Sequence, residues 1–370
     1  MRALIALLAL LAAAAVGLAL WPSAPPGPGR PDGGRVPGPT VPSPGDPLTV
    51  QLLEAPATHY ADPRAVADPW VTETLAALGL GREPTLDRAA RELAAVYAAQ
   101  RSLLPGDALQ FLLDSAGAVL WGVRQTVVIT DEPTPEAVAE ALRPQVSEIG
   151  VRAGIGRAEL PDGRAVVALV SGRADLTLEP VRRAPPAEAP LTLAGAVAPG
   201  MGQLQALALD PQGRFVDLPL ARDDDRFALT WTPTPGDWVL ELLGDGPHGP
   251  APLAQLTFHV QGTLPAAFAT RWPDDPAEVD ADLAAALVAQ DRAAAGLPPL
   301  RREPTLDAVA DAHARDMRDQ GFMGHVSPTT GRPADRVRAA GYRAAIVAEN
   351  VAFNRSLSDA QAGLMRSLGH

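Results

Sequence analysis

Six consecutive residues, Arg82-Glu83-Pro84-Thr85-Leu86-Asp87, recur unchanged as Arg302-Glu303-Pro304-Thr305-Leu306-Asp307, 220 positions later. No other feature restricts the fold as strongly, because a duplicated segment makes one part of the chain a template for another. Each copy opens an Ala-rich helical pattern. Further on, Ser115-Ala116-Gly117 falls opposite Ala339-Ala340-Gly341, and eight positions beyond each Gly, Gln125-Thr126-Val127 stands opposite Glu349-Asn350-Val351. Helical stretches follow in both copies, at Pro135 to Glu148 and at Ser358 to Ser367. The repeat predicts two related domains, one over residues 48–185 and one over 275–370.

Within each copy, Thr85 or Thr305 reads as a helix cap, with the Asp two positions on favourable beside the first turn's positive dipole end. In the second copy Leu306, Val309, Ala310, His313 and Met317 fall at helical spacing and mark a buried stripe, so His313 reads as a structural imidazole. The first copy closes on an alternating hairpin, Val151 to Glu159 and Arg164 to Val170, around the turn Pro161-Asp162-Gly163. Helices first and a hairpin last define an α+β arrangement.

Between the copies, over residues 188–262, the pattern changes to short β-type segments at about ten-residue spacing. They are Leu191 to Val197, Leu204 to Asp210, Phe215 to Leu220, Arg226 to Thr232, Asp237 to Leu243 and Leu253 to Val260. Pro-Gly, Asp-Pro and Gly-Asp turns separate them, which predicts a small immunoglobulin-like β-sandwich. Asp223, Asp224 and Asp225 fall in one turn and read as a solvated loop in preference to a calcium site. His248 and His259 share no spacing with carboxylates that suggests a site.

The N-terminus carries export information. Arg2 precedes an apolar run from Ala3 to Trp21, 19 residues, which as a helix spans roughly 28 Å and suits either a cleaved signal peptide or an uncleaved membrane anchor. The positive-inside rule then places everything after Trp21 outside the cytoplasm. Residues 22–47 contain ten Pro and six Gly, so they predict an extended spacer reaching up to about 80 Å at the polyproline rise.

Composition removes whole chemistries. The chain of 370 residues has no Cys, and all 31 of its basic residues are Arg. Without Lys there is no Schiff base and no P-loop lysine; without Cys there is no thiol nucleophile, disulfide or Cys-ligated zinc. The net charge of −12 repels phosphate backbones and excludes nucleic acid as a main partner. What remains for chemistry concentrates near the C-terminus, where His325, Glu349 and His370 come from three separated elements. Two imidazoles and a carboxylate are ordinary ligands for zinc or another divalent cation, although no compact motif such as two His one turn apart supports them.

The run Asp291-Arg292-Ala293-Ala294-Ala295-Gly296-Leu297-Pro298-Pro299-Leu300, then His313, Phe322, His325-Val326-Ser327-Pro328, Asp335-Arg336, Ala340-Gly341-Tyr342 and Glu349-Asn350-Val351-Ala352 closely resembles the bacterial branch of the CAP superfamily. That superfamily unites cysteine-rich secretory, antigen 5 and pathogenesis-related 1 proteins and is also called SCP-like. The resemblance covers 278–370. It implies an α-β-α sandwich, an exported protein, and a cleft whose His and Glu residues can bind a divalent metal such as zinc. By motif match His325 corresponds to the His of His-x-Ser-Pro, Glu349 to the Glu of Glu-Asn-Val and His370 to the His of Ser-Pro-Gly-His. Three positions depart from the pattern: Leu368 replaces the Pro of that last motif, Leu364 stands where Trp is usual, and Ala289 where Asn is usual.

Opposite His325, Glu349 and His370 the first copy has Arg101, Gln125 and Val146, so it resembles a degenerate CAP-like domain without a cleft constellation. Its hairpin has no counterpart after His370, which suggests a fragment lacking its final strands. Two functions compete. One is an extracytoplasmic binding module for an envelope polymer, lipid or protein ligand, periplasmic or extracellular. The other is a metal-dependent, peptidase-like hydrolase with His325 and His370 as ligands and Glu349 as ligand or general base.

Overall fold

The computed structural model describes residues 43, 45–62, 68–146, 151–272, 281–354 and 356–370, together with the strand β1 (Ala14–Leu18). Of the expected signal or anchor segment, the remainder of 3–21 lies outside the described residues, as do nearly all of the spacer and the start of the 275–370 segment. β1 pairs in parallel with Ala348–Ala352. Among the described residues no helix is long and apolar enough to cross a membrane.

Next in the chain come β2 (Pro47–Gln51), β3 (His59–Tyr60), α1 (Pro69–Leu78), β4 (Gly81–Arg82), α2 (Pro84–Gln100), α3 (Gly106–Ala116), β5 (Trp121–Thr130), α4 (Pro135–Leu142), β6 (Val151–Glu159) and β7 (Ala165–Arg173). The predicted hairpin is β6 and β7, set in a four-stranded sheet of order β4-β6-β7-β5. Helix α2 lies so close on β6 that a Cβ on Gly154 would stand 2.1 Å from the Leu86 carbonyl carbon and one on Gly156 2.3 Å from the Arg91 nitrogen. Leu86, Ala90, Leu93, Leu112, Val166 and Val170 fill the core between that sheet and α2–α3. On the opposite face Leu75, Val138, Leu142, Ile155 and Leu169 pack under α1 and α4. Helices therefore cover both faces of the sheet.

The middle of the chain is all β: β8 (Leu176–Leu178), β9 (Val181–Arg182), β10 (Leu191–Val197), β11 (Leu204–Leu209), β12 (Phe215–Leu218), β13 (Leu220–Asp223), β14 (Arg226–Trp231), β15 (Gly236–Gly246), β16 (Gly249–Val260) and β17 (Ala267–Arg271). Two antiparallel sheets form, β13-β14-β10-β8 and β12-β11-β15-β16. Their inward residues, among them Leu193, Phe227, Leu229, Trp238, Leu240 and Phe258, make one shared core, as period-two alternation in each strand requires. Asp223, Asp224 and Asp225 are exposed at the β13–β14 turn, where Asp224 takes the left-handed conformation at φ 54°. β17 then returns to pair with β2, closing Leu48, Val50 and Trp272 over the first core.

The last part is α5 (Ala281–Ala294), α6 (Pro304–Gln320), α7 (Pro333–Ala339), β18 (Ala348–Ala352) and α8 (Leu357–Arg366). The repeated hexapeptide builds the same structure twice. Glu83 and Glu303 cap α2 and α6 by accepting from the Thr85 and Thr305 nitrogens, each at 3.4 Å, and Arg82 and Arg302 donate Nε–H to Asp87 and Asp307, each at 2.7 Å. The cap is thus Glu, not the expected Thr. Proline, with its φ already helical and no N–H to satisfy, occupies the first helical position and puts the start two residues earlier. Both second helices end at a left-handed Gly, Gly117 at φ 74° after α3 and Gly341 at φ 77° just past α7.

Candidate functional site

Helix α6 ends at Gly321, a left-handed residue that turns the chain out of the helix. The following loop is fixed at its base by buried Ser327, whose Oγ accepts from the nitrogens of Thr329 (3.1 Å) and Thr330 (3.0 Å) and donates to Asp316 on α6. Ser327 and Gly331 also exchange backbone hydrogen bonds. This anchored turn delivers His325 to the site. From α7 comes Arg336, only 5% exposed at its side chain, whose Nη1 donates to the carbonyls of His325 (3.1 Å) and Gly331 (2.7 Å). Its Nη2 donates to Glu349 Oε2 at 2.6 Å, with Glu349 itself 7% exposed on β18.

The remaining Glu349 oxygen faces histidines. Oε1 lies 3.1 Å from His325 Nδ1 and 3.7 Å from His313 Nε2. Burial pushes the Glu349 carboxyl up, but hydrogen bonds with His325 and Arg336, and the guanidinium charge, outweigh it and hold the group below the usual carboxylate range. An ionised carboxylate can only accept, so His325 donates from Nδ1 and presents Nε2 as its free lone pair when neutral. His313, 2% exposed, is held below its ordinary value by desolvation, against the pull of Glu349, and donates from Nε2 to the Gly324 carbonyl at 2.9 Å. Its Nδ1 is buried without a partner.

His370 joins this group. Desolvation, and then the neighbouring His325, push its imidazole down to about 4, so it is neutral at ordinary pH, and its buried Nδ1 has no hydrogen-bond partner. The structure therefore brings His325 and Glu349 into direct contact, and His370 lies near enough to feel the charge of His325. It does not gather a three-ligand cage: among the described residues no group of three or more His, Cys, Asp or Glu could hold a metal ion. Both Glu349 oxygens already serve Arg336 and His325, so the nitrogens of His325 and His370 are the donors a cation would have to use.

Sequence reasoning missed three contributors. His313, read as a structural stripe residue, is indeed buried in that stripe but also faces Glu349. His248 at the β15–β16 turn stacks on Phe322 with ring centroids 4.7 Å apart. Glu241, wholly buried on β15, accepts from Ser367 Oγ (2.8 Å) and the nitrogens of Leu368 (2.8 Å) and Gly369 (3.2 Å). No local pattern announced either of the last two, because each is covered by a partner far away in sequence.

In the first copy the matching positions are occupied differently. Gln125, opposite Glu349, clasps Leu104 through its carbonyl oxygen (3.0 Å from the Leu104 nitrogen) and its amide nitrogen (2.6 Å from the Leu104 oxygen). That pair of bonds is a structural clip.

Comparison with known proteins places the class of the C-terminal part. Residues 285–370 match CAP, the cysteine-rich secretory protein family. The protein YkwD of Bacillus subtilis, itself described as uncharacterized, is 34% identical over 76 residues, 20% of this chain and 30% of YkwD. The chain thus spans about a third of the length of that relative. These two findings support a C-terminal CAP domain in an α+β chain. Among solved structures, a DUF4785 family protein from Legionella pneumophila covers 28% of this chain and 34% of its own at 13% identity and a TM-score of 0.20, a likeness too weak to carry an argument.

Proposed function

We propose that this chain is an exported, envelope-associated binding protein whose CAP domain offers a cleft with His325, His370 and Glu349 to a divalent cation and to an extracytoplasmic ligand, a polymer, lipid or protein. The observation that carries the reading is the His325 imidazole held by an ionised, doubly tethered Glu349 carboxylate, with the neutral His370 imidazole as its neighbour. In this reading His325 and His370 would hold zinc or a similar ion, which when bound supplies a positive centre for an anionic or carbonyl oxygen of the ligand. Glu349 orients His325 and balances Arg336. Export rests on Arg2 and the apolar run 3–21, which would leave the folded part in the periplasm or outside the cell, and 22–47 acts as the spacer.

The domain plan follows the repeat. Residues 48–185 form a degenerate CAP-like domain in which helices pack both faces of a sheet, and 188–262 form an immunoglobulin-like β-sandwich. The CAP domain occupies 275–370. Support for the degenerate copy comes from the duplicated Glu caps and Arg–Asp pairs and from Gln125 acting as a clip where Glu349 faces imidazoles. Its role is structural or in binding.

A metal-dependent, peptidase-like hydrolase is the alternative, and one feature weighs against it. A general base works best with a pKa near the operating pH, whereas Glu349 is held low and has both oxygens engaged. Calorimetric titration with zinc tests the reading. Wild type should bind one equivalent, and His325→Ala and His370→Ala should each abolish or greatly weaken it; no binding by wild type overturns the cation site.

A further inference from the structure

The hairpin β15–β16 touches the candidate cleft at two places. At its tip, His248 donates Nδ1–H to the Val326 carbonyl (3.0 Å) and accepts from the Val326 nitrogen at its own carbonyl (2.9 Å), while its ring lies on Phe322. The approach is close enough to demand glycine. Gly324 sits at φ 151°, and a Cβ there would stand 2.6 Å from the His248 Cβ and 2.7 Å from its oxygen. This clasp holds the two residues that flank His325.

On the shaft of the same hairpin, Glu241 points away from the sandwich core, which Trp238, Leu240 and Leu242 fill from the other face. Instead of meeting water it is wholly buried under the loop that leads to His370. Four donors reach its carboxylate: Ser367 Oγ, the Leu368 and Gly369 nitrogens, and Gln255 Nε2 at 3.1 Å. Gln255 also donates to the Arg366 carbonyl at 2.7 Å, so the end of α8 and the whole approach to His370 rest on two residues of the hairpin. A Cβ on Gly369 would stand 3.1 Å from the Leu243 side chain. A buried carboxylate is tolerable only with such full satisfaction, and it fixes what satisfies it.

We infer that the β15–β16 hairpin sets the spacing of His325 and His370, with Glu241 as positioning residue for His370 and His248 as positioning residue for His325. The CAP-domain cleft is then shaped by the neighbouring β-module and is incomplete without it. This rests on the proposed cation-binding reading only for its functional consequence; the positioning itself is a statement about the metal-free protein.

The test uses the full chain with ¹⁵N-labelled histidine. Glu241→Ala should shift or broaden the ring signals of His370 while those of His59 and His259 stay in place; His248→Ala should do the same to His325. Leu229→Ala, which loosens the sandwich core without touching either clasp, should leave His325 and His370 unchanged. In zinc titrations Glu241→Ala should bind roughly 10-fold to 100-fold more weakly, as loss of a group that orients a ligand does. If Glu241→Ala fails to fold, Ser367→Ala removes one donor, keeps the buried carboxylate and should still move His370. Unchanged His370 and His325 signals in these variants, or a uniform change of all six His that Leu229→Ala reproduces, overturns the inference. Shifted ring signals in these variants, with a wild type that binds no zinc, sustain the positioning and remove the cation reading instead.

Discussion

Arg336 offers the sharpest perturbation of the site. Its guanidinium makes three hydrogen bonds, two to carbonyls and one to Glu349, and both ionic partners are nearly inaccessible to water. Arg336→Met keeps much of the volume and removes the charge. Glu349 then stays buried with only histidine beside it, and the turn carbonyls of His325 and Gly331 lose their donor. Single hydrogen bonds to charged groups are worth roughly 1.5–3 kcal/mol, but those values do not add. Breaking a buried ion pair by deleting one partner costs about 3–5 kcal/mol, and that is the expected local destabilisation. Adding Glu349→Gln should restore part of it, since the uncompensated charge disappears.

The assay must see the C-terminal part. All six Trp lie at or before Trp272, so intrinsic Trp fluorescence reports on the rest of the chain. Hydrogen exchange followed by mass spectrometry on peptides over 322–352 resolves the relevant opening free energy. A change below about 1 kcal/mol for Arg336→Met, or a double variant no more stable than the single one, would refute the argument that a buried charge is being compensated.

Two further outcomes follow. Gly156→Ala should destabilise the α2–β6 contact by at least the roughly 1–3 kcal/mol typical of overpacking, because the clash is with helix backbone; a denaturation midpoint within 0.3 M of wild type, a tolerance of about the order that urea slopes imply, would contradict the contact. Asp114, half-buried where Tyr60, Gln110 and Thr257 donate to it, is pushed up to about 6, chiefly by desolvation. The native state therefore keeps a proton that the unfolded chain releases near pH 4, so this group lowers stability as pH rises from about 4 to about 6 and adds no further change above. Asp114→Asn should remove that component from urea melts followed by Trp fluorescence; an unaltered pH profile would show that Asp114 is not its source.

Much of the architecture was legible because its signals are local. Alternation in Leu191–Val197 and Arg226–Trp231 and the Pro161-Asp162-Gly163 turn correspond to observed strands and a hairpin. The hexapeptide foretold the paired helices α2 and α6, though not their Glu caps, since proline's preference for the first helical position was left out. The clasp of β2 with β17 was hidden by distance and by the Pro-rich stretch that runs into Pro47. His325 and Glu349 stood out through the motif resemblance, which implied a shared cleft, whereas their spacing alone did not establish their contact. Glu241 could not: on an outward-facing strand position a Glu reads as solvated, and only the tail folding back from Ser367 to His370 buries it.

In the proposed cleft two imidazoles bind a cation while Glu349 orients one of them from behind. Anomalous scattering at the zinc edge from crystals grown with zinc tests it most directly. One strong peak is expected, bonded to His325 Nε2 and to His370, with Glu349 still hydrogen-bonded to His325 Nδ1 and to Arg336. No peak between the two imidazoles, or a Glu349 oxygen bound to zinc with Arg336 displaced, would contradict it.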